Sequence, residues 1–303
     1  MNNIGEYIKN PSTIMFGVVR RIAPFFRKDV TYLRLLYYLR FKKKINLDNP
    51  RSFSEKIQWL KLYNRKPEYT MMVDKYAVKE YVANIIGADY VIPSIGVWDK
   101  PEEIDWTQLP DRFVLKTTHG GGSVGVEICR NKDTFDKKRA INNLNKSLKQ
   151  DVFTDFREWP YKNVKKRIIA EPLLEANSSG SQDLLDYKFF CFNGEPKLCQ
   201  VISGRNKKMS IDFYDKDWNH QDFHEPREFP FSKKIIEAPQ KYKQMLVLAS
   251  KLSQGHPFLR VDFYEVRGRI FFGELTFYPT SGLGGFEPDD WDNKIGEWLK
   301  LPV

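Results

Sequence analysis

Two clusters in this chain carry residue types that do phosphate and carboxylate chemistry. The first is Phe113-Val-Leu-Lys116-Thr-Thr-His-Gly120-Gly-Gly-Ser-Val-Gly125-Val-Glu-Ile-Cys129. A β-rich run ends in Lys116, a glycine cluster follows, and a second β-rich run begins at Val124. Glycine accepts positive φ and lets backbone N–H groups approach an anion closely, and a lysine beside them adds charge, so a hairpin of this kind can fold over phosphates. The second cluster lies far downstream: Arg260-Val-Asp262 in one apolar run and Glu274 in the next. Buried-looking strands seldom hold acids without a partner, because an unpaired charge is costly there. Two carboxylates on one strand face make a hard-oxygen site for Mg²⁺ and nucleotide phosphates. The same residues also fit a purely structural ion-paired triad of Arg260, Asp262 and Glu274.

The glycine cluster satisfies several patterns, and the residues after it discriminate among them. Gly120, Gly122 and Gly125 spell G-x-G-x-x-G, but the dinucleotide fingerprint requires a helix next, and Val124–Cys129 is β-branched and alternating. Gly121-x-Ser123-x-Gly125 fails as a nucleophile elbow for the same reason. His119-Gly-Gly-Gly overlaps that elbow, whereas an oxyanion loop must be a separate segment. The protein-kinase order places the lysine after the loop, not before it. A ligand-free Gly-rich hairpin remains open.

Whether Asp262 and Glu274 share a face depends on register. A two-residue turn at Arg267-Gly268 would oppose Asp262 to Gly273. A three-residue loop, Arg267-Gly268-Arg269, would oppose Asp262 to Glu274, with Gly268 at the αL position. We expect the three-residue loop, with Arg260 on the same face.

The elements around these clusters follow from capping and periodicity. Ser52-Phe-Ser-Glu55 is a capping box opening a helix over 54–64, and Asp74 caps another to about Ile86. Residues 90–97 read as loop and short strand, 132–150 as an amphipathic helix, and 151–166 as a loop. Strands are expected at 167–171, 186–193 and 196–203, the last two joined by Asn193-Gly194, and at 211–214, 258–266 and 269–277. Helices close the chain at 238–254 and 290–299. Many mixed strands with few helices give an α+β fold. We divide it into a basic helical extension (1–50), a helical or α+β subdomain (51–112), a Gly-loop subdomain (113–175) and a C-terminal subdomain with the carboxylates (176–303).

The chain has 303 residues and a net charge of +10. Residues 1–50 hold ten Lys/Arg against three Asp/Glu, a net of +7, interleaved with aromatic and aliphatic side chains. Such a segment either lies on an anionic membrane surface or polymer, or docks on the body with its lysines in solvent. No recognised nucleic-acid motif accompanies it, so no nucleic-acid partner is expected. No apolar run reaches the roughly 18 residues of a membrane span. Residues 14–19 are too short for a secretory signal. Cys129, Cys191 and Cys199 suit neither a disulfide framework nor zinc. A cytoplasmic protein, peripheral at the inner membrane face if the extension binds lipid, is the expectation.

In combination these residues resemble the ATP-grasp superfamily: Asp74-Lys75 with Lys79, Lys116 with the glycine loop, Ile168-Ile-Ala-Glu-Pro-Leu-Leu-Glu175, then Arg260-x-Asp262 and Glu274. Order and spacing are similar to D-alanine–D-alanine ligases. Asp186-Tyr-Lys-Phe-Phe-Cys-Phe-Asn-Gly-Glu-Pro-Lys197 and Arg51–Arg65 resemble the TupA-like, teichuronopeptide-biosynthesis branch. The resemblance covers about residues 45–290 and implies an ATP-grasp fold with ATP held between two α+β subdomains. It implies that Lys116 contacts the α-phosphate and adenine edge, that Lys79 and Lys75 support the nucleotide, and that Gly120, Gly121, Gly122 and Ser123 cover the β- and γ-phosphates. Glu171 with the backbone near Leu173 and Leu174 would read adenine, Asp186 or Glu175 would hold ribose, and Lys188 would reach phosphate. Asp262 and Glu274 would bind Mg²⁺, and Arg260 would stabilise the acyl phosphate. Thr276 stands where the relatives have asparagine; its neutral oxygen could still ligate the metal, but a second metal is in doubt. The implied activity is an ATP-dependent carboxylate–amine ligation joining an amino acid or amine to a uronic-acid carboxylate of a free or lipid-linked glycan in cell-surface polysaccharide synthesis. Arg205, Lys207 and Lys208 could hold a substrate carboxylate or form a solvated turn. A kinase acting on a glycan hydroxyl, or a non-catalytic polyanion binder, are the alternatives.

Overall fold

Period-two patterning sorts the strands into two antiparallel sheets. The computed structural model describes residues 11–121, 124–175, 184–205, 208–225 and 229–302; the expectations for Gly122, Ser123 and Lys207 lie outside them. The helices are α1 (Pro11–Arg21), α2 (Asp29–Phe41), α3 (Phe53–Tyr63), α4 (Glu68–Val73), α5 (Val78–Ile86), α6 (Lys137–Leu148), α7 (Val152–Phe156), α8 (Tyr242–Ser253) and α9 (Asp290–Trp298). The smaller sheet contains β1 (Gly96–Trp98), β2 (Phe113–Thr117), β3 (Val126–Cys129) and β4 (Ile168–Pro172), in the order β1-β4-β2-β3. The larger contains β5 (Asp186–Phe192), β6 (Glu195–Ser203), β7 (Ser210–Asp215), β8 (His220–Gln221), β9 (Phe258–Val266) and β10 (Arg269–Thr276), in the order β10-β9-β5-β6-β7-β8.

Each sheet buries its two faces differently. In the smaller, Phe113, Leu115, Ile168, Ala170 and Cys129 form one core with Leu144 of α6. The alternate positions, Lys116 and Glu171, therefore point away from that core. In the larger sheet, Phe189, Cys191, Val261 and Phe263 share a core with Met245, Leu248 and Ala249 of α8. Its opposite face is divided. Phe190, Phe192 and Phe258 surround Phe53 of α3, whose ring lies 5.1–6.4 Å from theirs. Arg260, Asp262 and Lys188 occupy the remainder of that face.

Local signals behave as their chemistry requires. The Ser52 hydroxyl accepts from the Glu55 N–H at 3.2 Å, and the Glu55 carboxylate accepts from the Ser52 N–H at 3.3 Å, completing the capping box of α3. Asp74 accepts from the N–H groups of Tyr76 and Ala77. Asn193 and Gly194 both have positive φ and join β5 to β6. Residues 151–166 are more ordered than the expected loop. Asp151 accepts from the Thr154 N–H at 3.0 Å and starts α7, which ends where Arg157 turns to φ 56°; a 3₁₀ turn, Trp159–Asn163, follows. All three cysteines are buried and unbridged.

The basic extension docks on the body. Arg157 and Arg65 both pair with Asp29, at 2.9 and 2.7 Å, and Arg20 pairs with Asp155 at 2.7 Å. Arg40 donates to the carbonyls of Leu283 and Gly284. Tyr32 and Leu36 of α2 are fully buried against Val19, Ala23 and Leu283. No helix among the described residues is long and apolar enough to cross a membrane.

Phe53 joins α3 to four aromatic rings, Phe286 included. Phe53→Ala should therefore cost about 3–5 kcal/mol, read as a lower midpoint in urea denaturation of the full chain.

Candidate active site

The cleft between the sheets is lined by Lys75, Lys79, Lys116, Glu171, Phe272 and Gly273. β2 and β4 supply one wall, β10 the other, and the segment after α4 spans both. Lys75 is fixed by its backbone N–H on the Thr118 carbonyl at 2.9 Å. Its ammonium donates to the Gly120 carbonyl at 2.6 Å and stands 3.6 Å from the Glu274 carboxylate. One side chain thus touches the glycine loop of one sheet and the acidic strand of the other.

On the smaller sheet, Glu171 holds Lys79 at 2.6 Å and Lys116 at 2.5 Å. Burial favours the neutral acid, but Lys116 and Lys79 outweigh it and hold the Glu171 carboxyl below its ordinary range. Burial lowers the Lys79 ammonium in spite of Glu171. The two cations thus converge at the cleft mouth, on the face that alternation predicts. Leu173 and Leu174 continue from β4, and Glu175 beyond them pairs with Arg112.

The glycine loop divides into parts with different reasons for glycine. Gly125, at φ 71°, packs against α6: a Cβ there would lie 2.1 Å from the Ser147 hydroxyl oxygen. Gly120 is closed off similarly by Thr117 Oγ1 at 2.6 Å, while a Cβ at Gly121 would meet nothing within 4 Å. Two glycines therefore serve loop-to-helix packing, and Gly121 has open space around it. His119 is buried behind the loop, with Nε2 3.2 Å from the Ser147 carbonyl. Burial, then Lys166, lowers its pKa to about 4, so its ring is neutral and structural.

On the larger sheet the register corrects our expectation while still bringing the carboxylates together. Val266 opposes Arg269, so the turn is the two-residue Arg267-Gly268, with φ of 53° and 73°. That register alone would oppose Asp262 to Gly273. A bulge between Phe272 and Leu275 then shifts the pairing by one residue, so that Val261 opposes Leu275 and Arg260 opposes Thr276. The extra residue in β10 places Gly273 and Glu274 together opposite Asp262.

A charged row results. Arg260 donates from Nε to Asp262 Oδ1 and from Nη2 to Glu274 Oε1, both at 2.8 Å. Lys188, opposite Asp262 on β5, binds Asp262 Oδ2 and lies 2.9 Å from Asp186. Arg205 pairs with Asp186 in turn; Lys208 is exposed. The Thr276 hydroxyl donates to Glu274 Oε1 at 3.3 Å. Asp262 is 1% exposed, and burial pushes its carboxyl up against the pull of Arg260 and Lys188. Glu274 is partly open, and burial is overcome by Lys75, Lys188 and Arg260, which hold it far below the ordinary carboxylate range. The ion-paired triad is thus formed. It borders the cleft at Glu274, 3.6 Å from a third cation, Lys75, which lines it.

Residues 55–300 match the TupA-like ATPgrasp family. The chain belongs to that family. No curated protein matches it. Among solved structures, this ATP-grasp chain is similar to the D-alanine–D-alanine ligase of Helicobacter pylori (16% identity over 82% of this chain and 69% of that one, TM-score 0.44). It is also similar to the D-alanine–D-alanine ligase of Bacillus anthracis (18% identity over 68% of this chain and 57% of that one, TM-score 0.40). A third is the ATP-grasp ligase PsnB complexed with a phosphomimetic variant of a minimal precursor, Mg and ADP (12% identity over 81% of this chain and 65% of that one, TM-score 0.42). At such identities and scores the likeness assigns no activity.

A second buried polar cluster borders the TupA-like site. Lys61 of α3 is fully buried and donates to Gln58 Oε1 (3.1 Å), the Phe156 carbonyl (3.1 Å) and the Ser281 carbonyl (2.6 Å). The Ser281 hydroxyl donates to Glu158, and the Thr280 hydroxyl to Glu225 at 2.6 Å. Burial lowers the Lys61 pKa to about 8 and raises those of Glu158 and Glu225. Thr280 and Ser281 have φ of 45° and 58°, a strained pair for non-glycine residues. The sequence did not single out Lys61, Glu158 or Glu225. The cluster's one local signal is Lys61 itself, a lysine four residues past Ile57 and eight past Phe53 on the core face of α3.

The Glu171 pair has a pH consequence. A carboxyl depressed in the folded state stabilises above its ordinary value of 4.5 and loses that contribution as pH falls below it. The stability gap between wild type and Glu171→Gln, read by urea denaturation, should be complete near neutrality and narrow steadily on acidification through pH 4.5.

Proposed function

We propose that the protein is an ATP-dependent ligase that activates a substrate carboxylate as an acyl phosphate and passes it to an amine. The observation that carries this reading is Lys75, which lines the cleft with Lys79 and Lys116 and stands 3.6 Å from Glu274 of the Arg260, Asp262 and Glu274 triad. Lys79 and Lys116 suit nucleotide phosphates, which would take the place of the Glu171 carboxylate at their ammonium groups. Arg260 is set by two carboxylates beside the cleft, where its charge can offset that of a phosphoryl group in transfer.

The donor set fits a hard divalent cation. Asp262 and Glu274 offer carboxylate oxygens, and Glu274 Oε2 has only the 3.6 Å contact with Lys75 among the described residues. Mg²⁺ commonly takes one or two carboxylates and completes its shell with phosphate oxygens and water. No group of three or more His, Cys, Asp or Glu among the described residues could hold a metal by itself, so the ion would arrive with the nucleotide. When bound, it would neutralise charge on the β- and γ-phosphates.

The chemistry balances in two steps. A substrate carboxylate oxygen attacks the γ-phosphorus of ATP, forming the acyl phosphate and releasing ADP. An amine then attacks the acyl carbon, expels inorganic phosphate and loses a proton, leaving an amide. No protein nucleophile is required. We assign the carboxylate to a uronic acid of a cell-surface glycan and the amine to an amino acid or related compound, in keeping with the teichuronopeptide branch that the sequence resembles. Thr280 and Ser281, directly after the acidic strand, would line the acceptor side.

Incubation with ATP, Mg²⁺, a uronate and hydroxylamine tests this, because hydroxylamine replaces the unknown amine. We expect ADP and a hydroxamate in equal amounts. Asp262→Asn and the more exposed Glu274→Gln should each lower turnover by about 10²-fold or more, with folding checked by circular dichroism. ADP with a phosphorylated glycan and no hydroxamate would instead establish a kinase. Absence of ATP turnover, with glycan binding unaffected by Asp262→Asn and lost on neutralising Lys42, Lys43 and Lys44, would establish a polyanion binder.

A further inference from the structure

Five of the twelve large hydrophobic side chains that the described residues leave exposed fall within one short stretch: Ile14, Met15, Val18, Ile22 and Phe25, at 51, 50, 44, 42 and 81%. Ile14, Met15, Val18 and Ile22 are spaced i, i+1, i+4, i+8, which gathers them within an arc of about 100° on α1 and its continuation. Phe25 extends the stripe on the next turn. The buried face of the same segment, Val19 and Ala23, packs on Tyr32 and Leu36. The apolar stripe is thus a second face, held outward by a helix already docked on the body.

Charge identifies what covers it. Residues 11–28 contain Arg20, Arg21, Arg27 and Lys28 and no acidic residue. Arg20 pairs with Asp155. Arg21, Arg27 and Lys28 lie in exposed positions around the stripe and form no ion pair among the described residues. An apolar stripe rimmed by unpaired cations matches an anionic phospholipid surface, with apolar side chains below the headgroups and the cations among the phosphates. A protein partner for so exposed a Phe25 would need acidic groups around an apolar socket, and among the described residues Asp29 and Asp155, the acids paired at this segment, are already taken by Arg65, Arg157 and Arg20.

We infer that α1 and the turn through Phe25 form an interfacial membrane anchor that seats the protein on anionic lipid. The anchor is rigid with respect to the catalytic body. Arg157 donates to the Ala23 carbonyl at 2.7 Å, and its neighbour Glu158 is held by Ser281 beside the site. Seating α1 on a bilayer therefore fixes how far the acceptor side of the cleft stands from it.

Flotation of the full chain with vesicles tests this inference without reference to activity. With equal parts of phosphatidylglycerol and phosphatidylcholine the protein should float with the lipid. With phosphatidylcholine alone, or in high salt, the floated fraction should fall several-fold. The Val18→Asp, Phe25→Asp double variant should partition about ten-fold less or worse while retaining its circular dichroism and melting temperature; both side chains are exposed, so the fold does not depend on them. Failure of the wild type to float with anionic vesicles would overturn the inference, as would undiminished flotation of the double variant. So would sedimentation of the wild type as a dimer that the double variant dissolves, since a second copy would then be the occupant.

Discussion

A carboxylate that is 1% exposed can remain charged only if cations meet it at hydrogen-bond distance, and the charged row of the larger sheet is built around that requirement at Asp262. Arg260 reaches it from two residues upstream, and Lys188 from the neighbouring strand. Each cation then needs a further acid: Glu274 for Arg260, Asp186 for Lys188, and Arg205 to balance Asp186. The chain of neutralisation continues across the cleft through Lys75. Under the proposed function a nucleotide would enter by exchanging some of these pairings for its phosphates, and until then the paired charges hold one another in place.

Sheet alternation makes that possible and was the most legible part of the sequence. Strand after strand, one parity is aliphatic or aromatic and the other carries the chemistry: Phe113 and Leu115 against Lys116, Ala170 against Glu171, Val261 and Phe263 against Arg260 and Asp262. The capping box at Ser52 and the Asn193-Gly194 turn were equally readable, because both act over three or four residues. What eluded sequence reading acts at long range. A three-residue turn without a bulge and a two-residue turn with one bring Asp262 opposite Glu274 alike, and Gly268 suits either. The glycines at 120 and 125 satisfy a phosphate-loop pattern, yet their closest constraint is Ser147 and Thr117 at the base of the loop. Lys61 marks itself as anomalous on an apolar helix face, but Ser281 and Glu158, which make its burial tolerable, are far away along the chain.

The extension at the N-terminus docks on the body, one of the two alternatives that its composition allowed. α2 is docked, with Tyr32 and Leu36 fully buried, while α1 uses one side for docking and presents the other outward. Arg20 of the extension pairs with Asp155 and Arg40 donates to the Leu283 and Gly284 carbonyls, while its Asp29 receives Arg65 and Arg157 of the body. Arg21, Arg27 and Lys28 are the cations grouped around the apolar stripe.

The hairpin that carries Asp262 and Glu274 has a consequence for how such genes can drift. Turn length and bulge are compensating quantities: adding a residue between Val266 and Arg269 while removing one at the Gly273 bulge leaves the two acids facing each other. A single-codon insertion and a single-codon deletion only a few positions apart thus cancel at the Asp262–Glu274 pair. The spacing between these two acids in the primary sequence is therefore the same in either hairpin, and only the place of the extra residue differs, in the turn or in β10.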